Sequence, residues 1–361
     1  MRRKFTNKYL EVFKKEGPLG VFRAFHNEKV EEKIIRVFGW EDQGRSSYDH
    51  NLIPSVSKYL FEDLEIIEAY IDSSLENRPG IIKESTKYIT VHDTAGAREG
   101  SGAVAHMKYV TKGGGGTSWH YSLGNDGIFK HLPHNEVAYH AGDGSRTYTL
   151  ENSNVKASTP KPDIDISKDG YYVLNGEKST ILAPTNDGEI LSKKDINDLS
   201  IEIQIIDGYY YIGNTWYSKT YKLIGNGGGN RNSIGIESCI DRGSDIYLTW
   251  QRLAKLVAYL LIAENLDLDA VVQHHYFSGK DCPMTMRRAK MWDDFLDLVE
   301  VEYFVQTTMK DYEIKINPIT NNIDSNGRIK ELTKDDLVYE VIITDKDNNI
   351  YKDKFTTKKL S

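Results

Sequence analysis

The chain has 361 residues, enough for one large domain with extensions or for several small ones. A net charge of −7 argues against nucleic acid as the main partner. With 39% hydrophobic residues and a mean hydropathy of −0.52, no run approaches the roughly 20 apolar residues that a bilayer span needs. The opening MRRKFTNKYLEVFKKEG is basic without an apolar core, so no secretory signal and synthesis in the cytoplasm are expected. The two cysteines, Cys239 and Cys282, cannot form a disulfide framework and read as free thiols.

Taken in order, KYLEVFKKEG, EKVEEKIIRVFGW and FEDLEIIEAYIDSSL each space apolar residues three or four apart and predict amphipathic helices. KYITV at 87–91 predicts a buried strand that ends at His92. SGAVAHMKYVTKG predicts a helix, GGGGT a loop, and SWHYSLG–NDG–IFKHLP a hairpin. From about 145 to 224, turn dipeptides alternate with short β-branched and aromatic runs, which predicts a β-rich insertion; a helical period is visible only around SKKDINDL. IGIES predicts a buried central strand, and LTWQRLAKLVAYLLIAENL a helix with a wide apolar face. VVQHH predicts a short strand, MTMRRAKMWDDFLDLVEVEYFVQ a closing helix, and 310–361 further strands. The expected class is α/β: a domain built on a central mixed β-sheet flanked by helices. It carries a helical N-terminal extension over 1–75, the β-rich insertion, and a small C-terminal β segment over 305–361.

A group of residues in this frame suggests a catalytic metal. Such a site uses three protein ligands and an open position, with ligands often far apart in sequence. His26, His50 and His106 read as surface or packing residues, and His131 and His134 as surface or groove residues. His92 ends an apolar strand, while His274 and Cys282 stand eight residues apart in QHHYFSGKDCP, where a loop could present both to one ion. Imidazoles with a thiolate suit zinc. Glu237 sits in the apolar strand SIGIES, where a carboxylate is costly unless used or paired; it is a candidate general base. Lys280 would then stand beside the open position and could hold an oxyanion. Taken singly, each residue keeps a plainer reading: a solvent-facing glutamate, a loop lysine, a surface loop containing His and Cys.

VHDTAG, SWHYSLGNDG, EVAYHAGDGS, GNRNSIGIES and HHYFSGKDCP occur in this order, with ENRPG just upstream. Together they resemble the zinc-dependent N-acetylmuramoyl-L-alanine amidases of the phage-lysozyme and peptidoglycan-recognition-protein superfamily, of endolysin or autolysin type. The resemblance covers roughly residues 76–144 and 225–300, which places an amidase domain at 76–304 around the insertion. It implies hydrolysis of the amide between N-acetylmuramic acid and L-alanine of peptidoglycan, with one Zn2+ per chain. By position it implies His92, His274 and Cys282 as metal ligands, Glu237 as general base and Lys280 as the oxyanion cation. His120, His140, Trp119 and Asn232 are expected to contact substrate in the groove; Trp119 stands where relatives have a tyrosine near the metal, which puts the tyrosine's helper role in doubt. His275 is expected to point away from the metal. The alternatives are a peptidoglycan-binding module without activity, disfavoured because Cys282 is present, or an amidase acting on soluble muropeptides. Peptidoglycan or muropeptides are the expected partners, reached after release in the manner of a phage endolysin or by another export route; no protein partner is inferable. About eighty residues separate HAGDG from GNRNSIGIE, too many for a bare loop, so the insertion is expected to be a small β subdomain beside the groove; it either narrows substrate choice or contacts a second polymer, and the plainer alternative is a neutral surface elaboration.

Overall fold

The structure is a computed structural model that describes residues 2–41, 44–142, 150–183, 185–186, 189–190, 203–213, 227–332 and 335–360. The chain begins with α1 (Lys8–Phe25), broken where Gly17 takes φ +70° ahead of Pro18. The strands β1 (Lys29–Val30), β2 (Lys33–Glu41), β3 (Gly44–Leu52) and β4 (Ile67–Glu68) follow. The helix expected over EKVEEKIIRVFGW is therefore a hairpin strand, with β2 paired to β3 from Lys33↔Leu52 to Glu41↔Gly44. Its β-branched run Ile34-Ile35 favours the pleat, and Ile35 is buried while Ile34 is exposed, the alternation of a strand. FEDLEIIEAYIDSSL is not a helix either. It runs extended along the sheet edge, where Ala69 and Ile71 donate to the carbonyls of Lys130 and His131.

The central elements are β5 (Tyr88–Asp93), α2 (Ala103–Val110), β6 (Tyr121–Gly124) and β7 (Gly127–Lys130). The described part of the insertion holds β8 (Leu150–Lys156), β9 (Ile164–Ile166), β10 (Tyr171–Leu174), β11 (Glu177–Leu182), β12 (Thr185–Asn186), β13 (Glu189–Ile190), β14 (Ile203–Ile206) and β15 (Tyr209–Gly213). These form small antiparallel sheets, as the turn-rich pattern predicts; the helical period around SKKDINDL lies outside the described residues. The chain returns through α3 (Gly228–Asn232), β16 (Ser233–Ser238), α4 (Ile246–Ala263), β17 (Val271–Gln273) and α5 (His275–Ser278). The single closing helix expected is two, α6 (Met284–Arg288) and α7 (Trp292–Thr308), because Lys290 adopts φ +57° between them.

The central sheet is mixed and six-stranded, in the order β17-β5-β16-β6-β7-β4. Three adjacent parallel pairs, β17/β5, β5/β16 and β16/β6, run inward from its β17 edge. Ile89, Val91, Ile234 and Ile236 are fully buried and share one core with Trp250, Leu253, Val257 and Leu260 of α4. The other face of β5 and β16 is left to carry polar groups.

The two ends of the chain share a second core. Strands β18 (Glu313–Pro318), β19 (Leu337–Thr344) and β20 (Ile350–Lys359) form an antiparallel sheet, and β1 adds to it in parallel beside β20. Phe22 and Phe25 of α1, Val301 and Phe304 of α7, and Tyr339, Val341 and Phe355 of this sheet belong to one buried cluster. The C-terminal strands therefore pack on the N-terminal helix and on α7. Among the described residues, no helix is long and apolar enough to cross a membrane.

Candidate active site

The register of β5 on β16 sets Glu237 beside His92 and Gly235 beside Thr90. Alternate residues share a face, so Thr90, His92, Ser233, Gly235 and Glu237 all project from the side opposite the α4 core. Strand β17 brings in the next group. The N–H of His274 donates to the carbonyl of Val91 (3.1 Å), which extends the pairing by one residue and lays His274 next to His92.

Between His274 and Cys282 the chain makes one helical turn and reverses at Gly279, where φ is +70°. The loop is closed by a hydrogen bond from His275 N–H to the Cys282 carbonyl (3.0 Å). Asp93 holds the following segment by accepting from the backbone N–H of Met284 (2.9 Å) and of Thr285 (2.6 Å). Asp281 is fixed by Arg287 (2.9 Å) and Arg288 (3.2 Å).

The outcome is a tight group of donors. His92 Nδ1 lies 3.1 Å from His274 Nδ1 and 3.7 Å from Cys282 Sγ. One ligand atom from each residue falls within 4.8 Å of the other two, and all three side chains are buried, so the group could hold a metal ion. Burial holds His92 well below the ordinary imidazole range, helped by the neighbouring His274, His140 and Lys280, so it offers a neutral nitrogen. Burial pushes the Cys282 thiol up, against the pull of Lys280; a cation taken up here must displace that thiol proton.

Glu237 Oε1 is 3.6 Å from His92 Nδ1. Burial raises its pKa to about 7, while Lys280 acts in the opposite direction. Glu237, Lys280 and Cys282 open into one groove of about 570 Å³, whose other wall carries His106, Tyr109 and Trp119. The Trp119 indole N–H donates to Ser122 Oγ (2.7 Å), and its ring lies nearly parallel to Tyr109 at 6.4 Å.

Three residues expected at the groove stand elsewhere. His120 is fully buried: its Nδ1 accepts from the Gly235 N–H (3.1 Å) and its Nε2 donates to the Glu136 carbonyl (3.0 Å). Asn232 is buried at the end of α3, where its amide donates to the Gly228 carbonyl (2.6 Å). His140 lies behind His92, with Nδ1 2.9 Å from His92 Nε2, on the side of the ring away from the donor group. His131 is also no groove residue, being fully buried between Ala69 O (3.0 Å) and Ser122 Oγ (2.9 Å); His134 bonds Tyr121 (2.6 Å) and Glu264 (3.0 Å). His275 faces a separate recess with Arg2, Tyr276 and Arg287. It turns from His92 and Cys282 because the chain is helical from His275 onward.

Other residues were hidden from sequence reasoning. His106 and Tyr109 reach the groove from α2; their i, i+3 spacing put them on one helix face, a signal that was present. Asp93 clamps the Cys282 loop, and Asn230 clamps the His140 loop by accepting from His140 N–H (2.8 Å) and Ala141 N–H (2.7 Å). Neither partner is near in sequence, so no local pattern announces these bonds.

Residues 83–285 match the family described as N-acetylmuramoyl-L-alanine amidase. The chain belongs to this amidase family. It is 27% identical to the N-acetylmuramoyl-L-alanine amidase XlyA of Bacillus subtilis (strain 168) over 232 residues, 64% of this chain and 50% of that protein. It is 25% identical to the N-acetylmuramoyl-L-alanine amidase CwlH of the same organism over 228 residues, 63% of this chain and 58% of that protein. The chain thus spans between half and three-fifths of the length of these relatives. Among solved structures, the catalytic domain of XlyA is similar at 26% identity, covering 65% of this chain and 99% of that one, with a TM-score of 0.41.

Proposed function

We propose that this amidase-family chain hydrolyses the amide between N-acetylmuramic acid and L-alanine of peptidoglycan, with one zinc ion held by His92, His274 and Cys282. The observation that carries the reading is the convergence of these three buried donors beside Glu237, with Cys282 and Glu237 lining an open groove. The donor set fits the metal. Zinc–nitrogen bonds of about 2.0–2.1 Å and a zinc–sulfur bond of about 2.3 Å imply tetrahedral edges of about 3.3 Å between nitrogens and about 3.6 Å from nitrogen to sulfur. The separations of 3.1 and 3.7 Å are close to these values. Were zinc held by these three residues, the site would keep a position for water or substrate, the pattern of catalytic rather than structural sites.

When bound, zinc would supply Lewis acidity toward the scissile carbonyl and toward water. Glu237 takes the proton from the attacking water and passes it to the leaving amine of L-alanine; its raised pKa suits both directions of transfer. Lys280, on the groove wall, offsets negative charge that develops on the carbonyl oxygen. His106, Tyr109 and Trp119 form the wall against which the substrate lies.

The test is chemical. Purified protein is incubated with cell walls and the new amino termini are identified. Free L-alanine termini without new reducing sugar ends are expected. New termini from within the stem peptide, new sugar ends, or wall binding without release from a zinc-loaded sample would refute the proposed reaction.

A further inference from the structure

His140 belongs to a chain of hydrogen bonds behind the donor group. Its backbone is clamped by Asn230, whose own N–H donates to the Ala141 carbonyl (2.9 Å), so the ring has a fixed origin. That ring lies flat on Gly235. A Cβ placed there would come within 2.7 Å of Cγ, Nδ1 and Cε1 of the imidazole, far inside contact distance. Gly235 is not among the residues with positive φ, so its backbone does not demand glycine; the approach of the ring does.

The direction of the hydrogen bonds follows from counting protons. Ser233 Oγ donates its single proton to the Gly229 carbonyl (2.8 Å). It can then only accept, from Thr90 Oγ1 (2.7 Å) and from His140 Nε2 (3.4 Å). His140 therefore carries its proton on Nε2, and its Nδ1 must accept. The partner 2.9 Å away is His92 Nε2, which must be the protonated nitrogen of that ring. His92 Nδ1 is left with a lone pair aimed at His274 and Cys282.

We propose that His140 is a positioning residue that fixes the tautomer and orientation of His92, and that Gly235 is required in the strand because it admits the His140 ring. The inference rests on the reading of His92 as a metal ligand. Outer partners of this kind typically change metal affinity by about 10–100-fold when lost.

The experiment measures Zn2+ affinity by competition with a chromophoric chelator, and the visible spectrum of the Co2+-loaded protein. Thermal melts of the metal-free variants serve as a check on folding. His140→Leu should bind zinc about 10–100-fold more weakly and shift the cobalt spectrum, and His140→Asn, whose carbonyl can accept from His92, should recover most of the loss. Gly235→Ala should weaken binding in the same direction. On a His140→Ala background the added methyl should cost nothing further, because the ring it displaces is gone. Wild-type affinity and spectrum in folded His140→Leu, or additive losses in the Gly235→Ala, His140→Ala pair, would overturn the inference alone. A wild-type protein that binds neither ion overturns it together with the metal reading on which it stands.

Discussion

Glu237 is a carboxylate with 16% of its side chain exposed, on a strand whose neighbours are otherwise small or apolar. Nothing in the packing needs an acid there, and burial makes the charged form costly, which is the condition under which a carboxylate can act as a base near neutral pH. Replacing Glu237 by Gln keeps the shape and removes the base. The variant should retain stoichiometric metal and lose about 10²–10⁴-fold in wall hydrolysis. Metal analysis alongside turbidity clearance of cell walls checks both halves; hydrolysis at the wild-type rate would remove Glu237 from the mechanism. The histidines divide by the partners of their ring nitrogens. His92 and His274 are brought together by strand pairing between distant segments, whereas His120, His131 and His134 spend both ring nitrogens on protein partners and have nothing left for substrate.

Elements show where local pattern misleads. Residues 28–40 space apolar groups as a helix does, but they also carry β-branched neighbours and face a complementary segment at 44–52, and the strand prevails. The same ambiguity is absent from α4, whose long apolar face is buried along most of its length and reads correctly from sequence. Helix α1 is a harder case, because its partner is the far end of the chain. Phe22 is fully buried and packs edge-on to Phe355 at 5.0 Å and against Phe25 at 6.3 Å. Phe22→Ala should cost about 3–5 kcal/mol. Urea unfolding would register this as a lower midpoint with an unchanged slope. A loss below about 1 kcal/mol would mean that the terminal unit unfolds apart from the rest, contrary to a single cooperative transition.

The whole molecule is tied together by contacts that close large loops. The carboxylate of Glu300 accepts from Thr6 N–H (3.0 Å) and pairs with Arg3 (2.9 Å), and Glu302 accepts from Leu60 N–H (2.8 Å) while facing Lys255 at 3.2 Å. These buried acids on α7 tie Arg3, Thr6 and Leu60 of the N-terminal region to α7, and α7 to Lys255 of α4. Global stability also carries a signature of its buried histidines. Burial lowers the pKa of His131 to about 4 from an ordinary 6.5, so between these values the unfolded chain binds more protons than the folded one. Stability contributed through this group is complete above pH 6.5 and is lost as pH falls toward 4, by on the order of 3 kcal/mol. The urea midpoint should drop over that window, and His131→Gln, although less stable at neutral pH, should show a shallower drop. Parallel slopes for the two proteins would contradict the assignment.

Part of the site is legible in the sequence. Five short motifs in order carried the family, and the resemblance they made implied His92, His274 and Cys282 as one set, whose ligand atoms the fold places within 4.8 Å of one another; taken singly, each of these residues kept a plainer reading. Sequence could not supply the register that sets Glu237 against His92, the contact that makes Gly235 obligatory, or the joining of the two chain ends in one core. Each of these depends on which distant segments pair, and the free energy of that choice comes from burial summed over the whole fold rather than from any local preference.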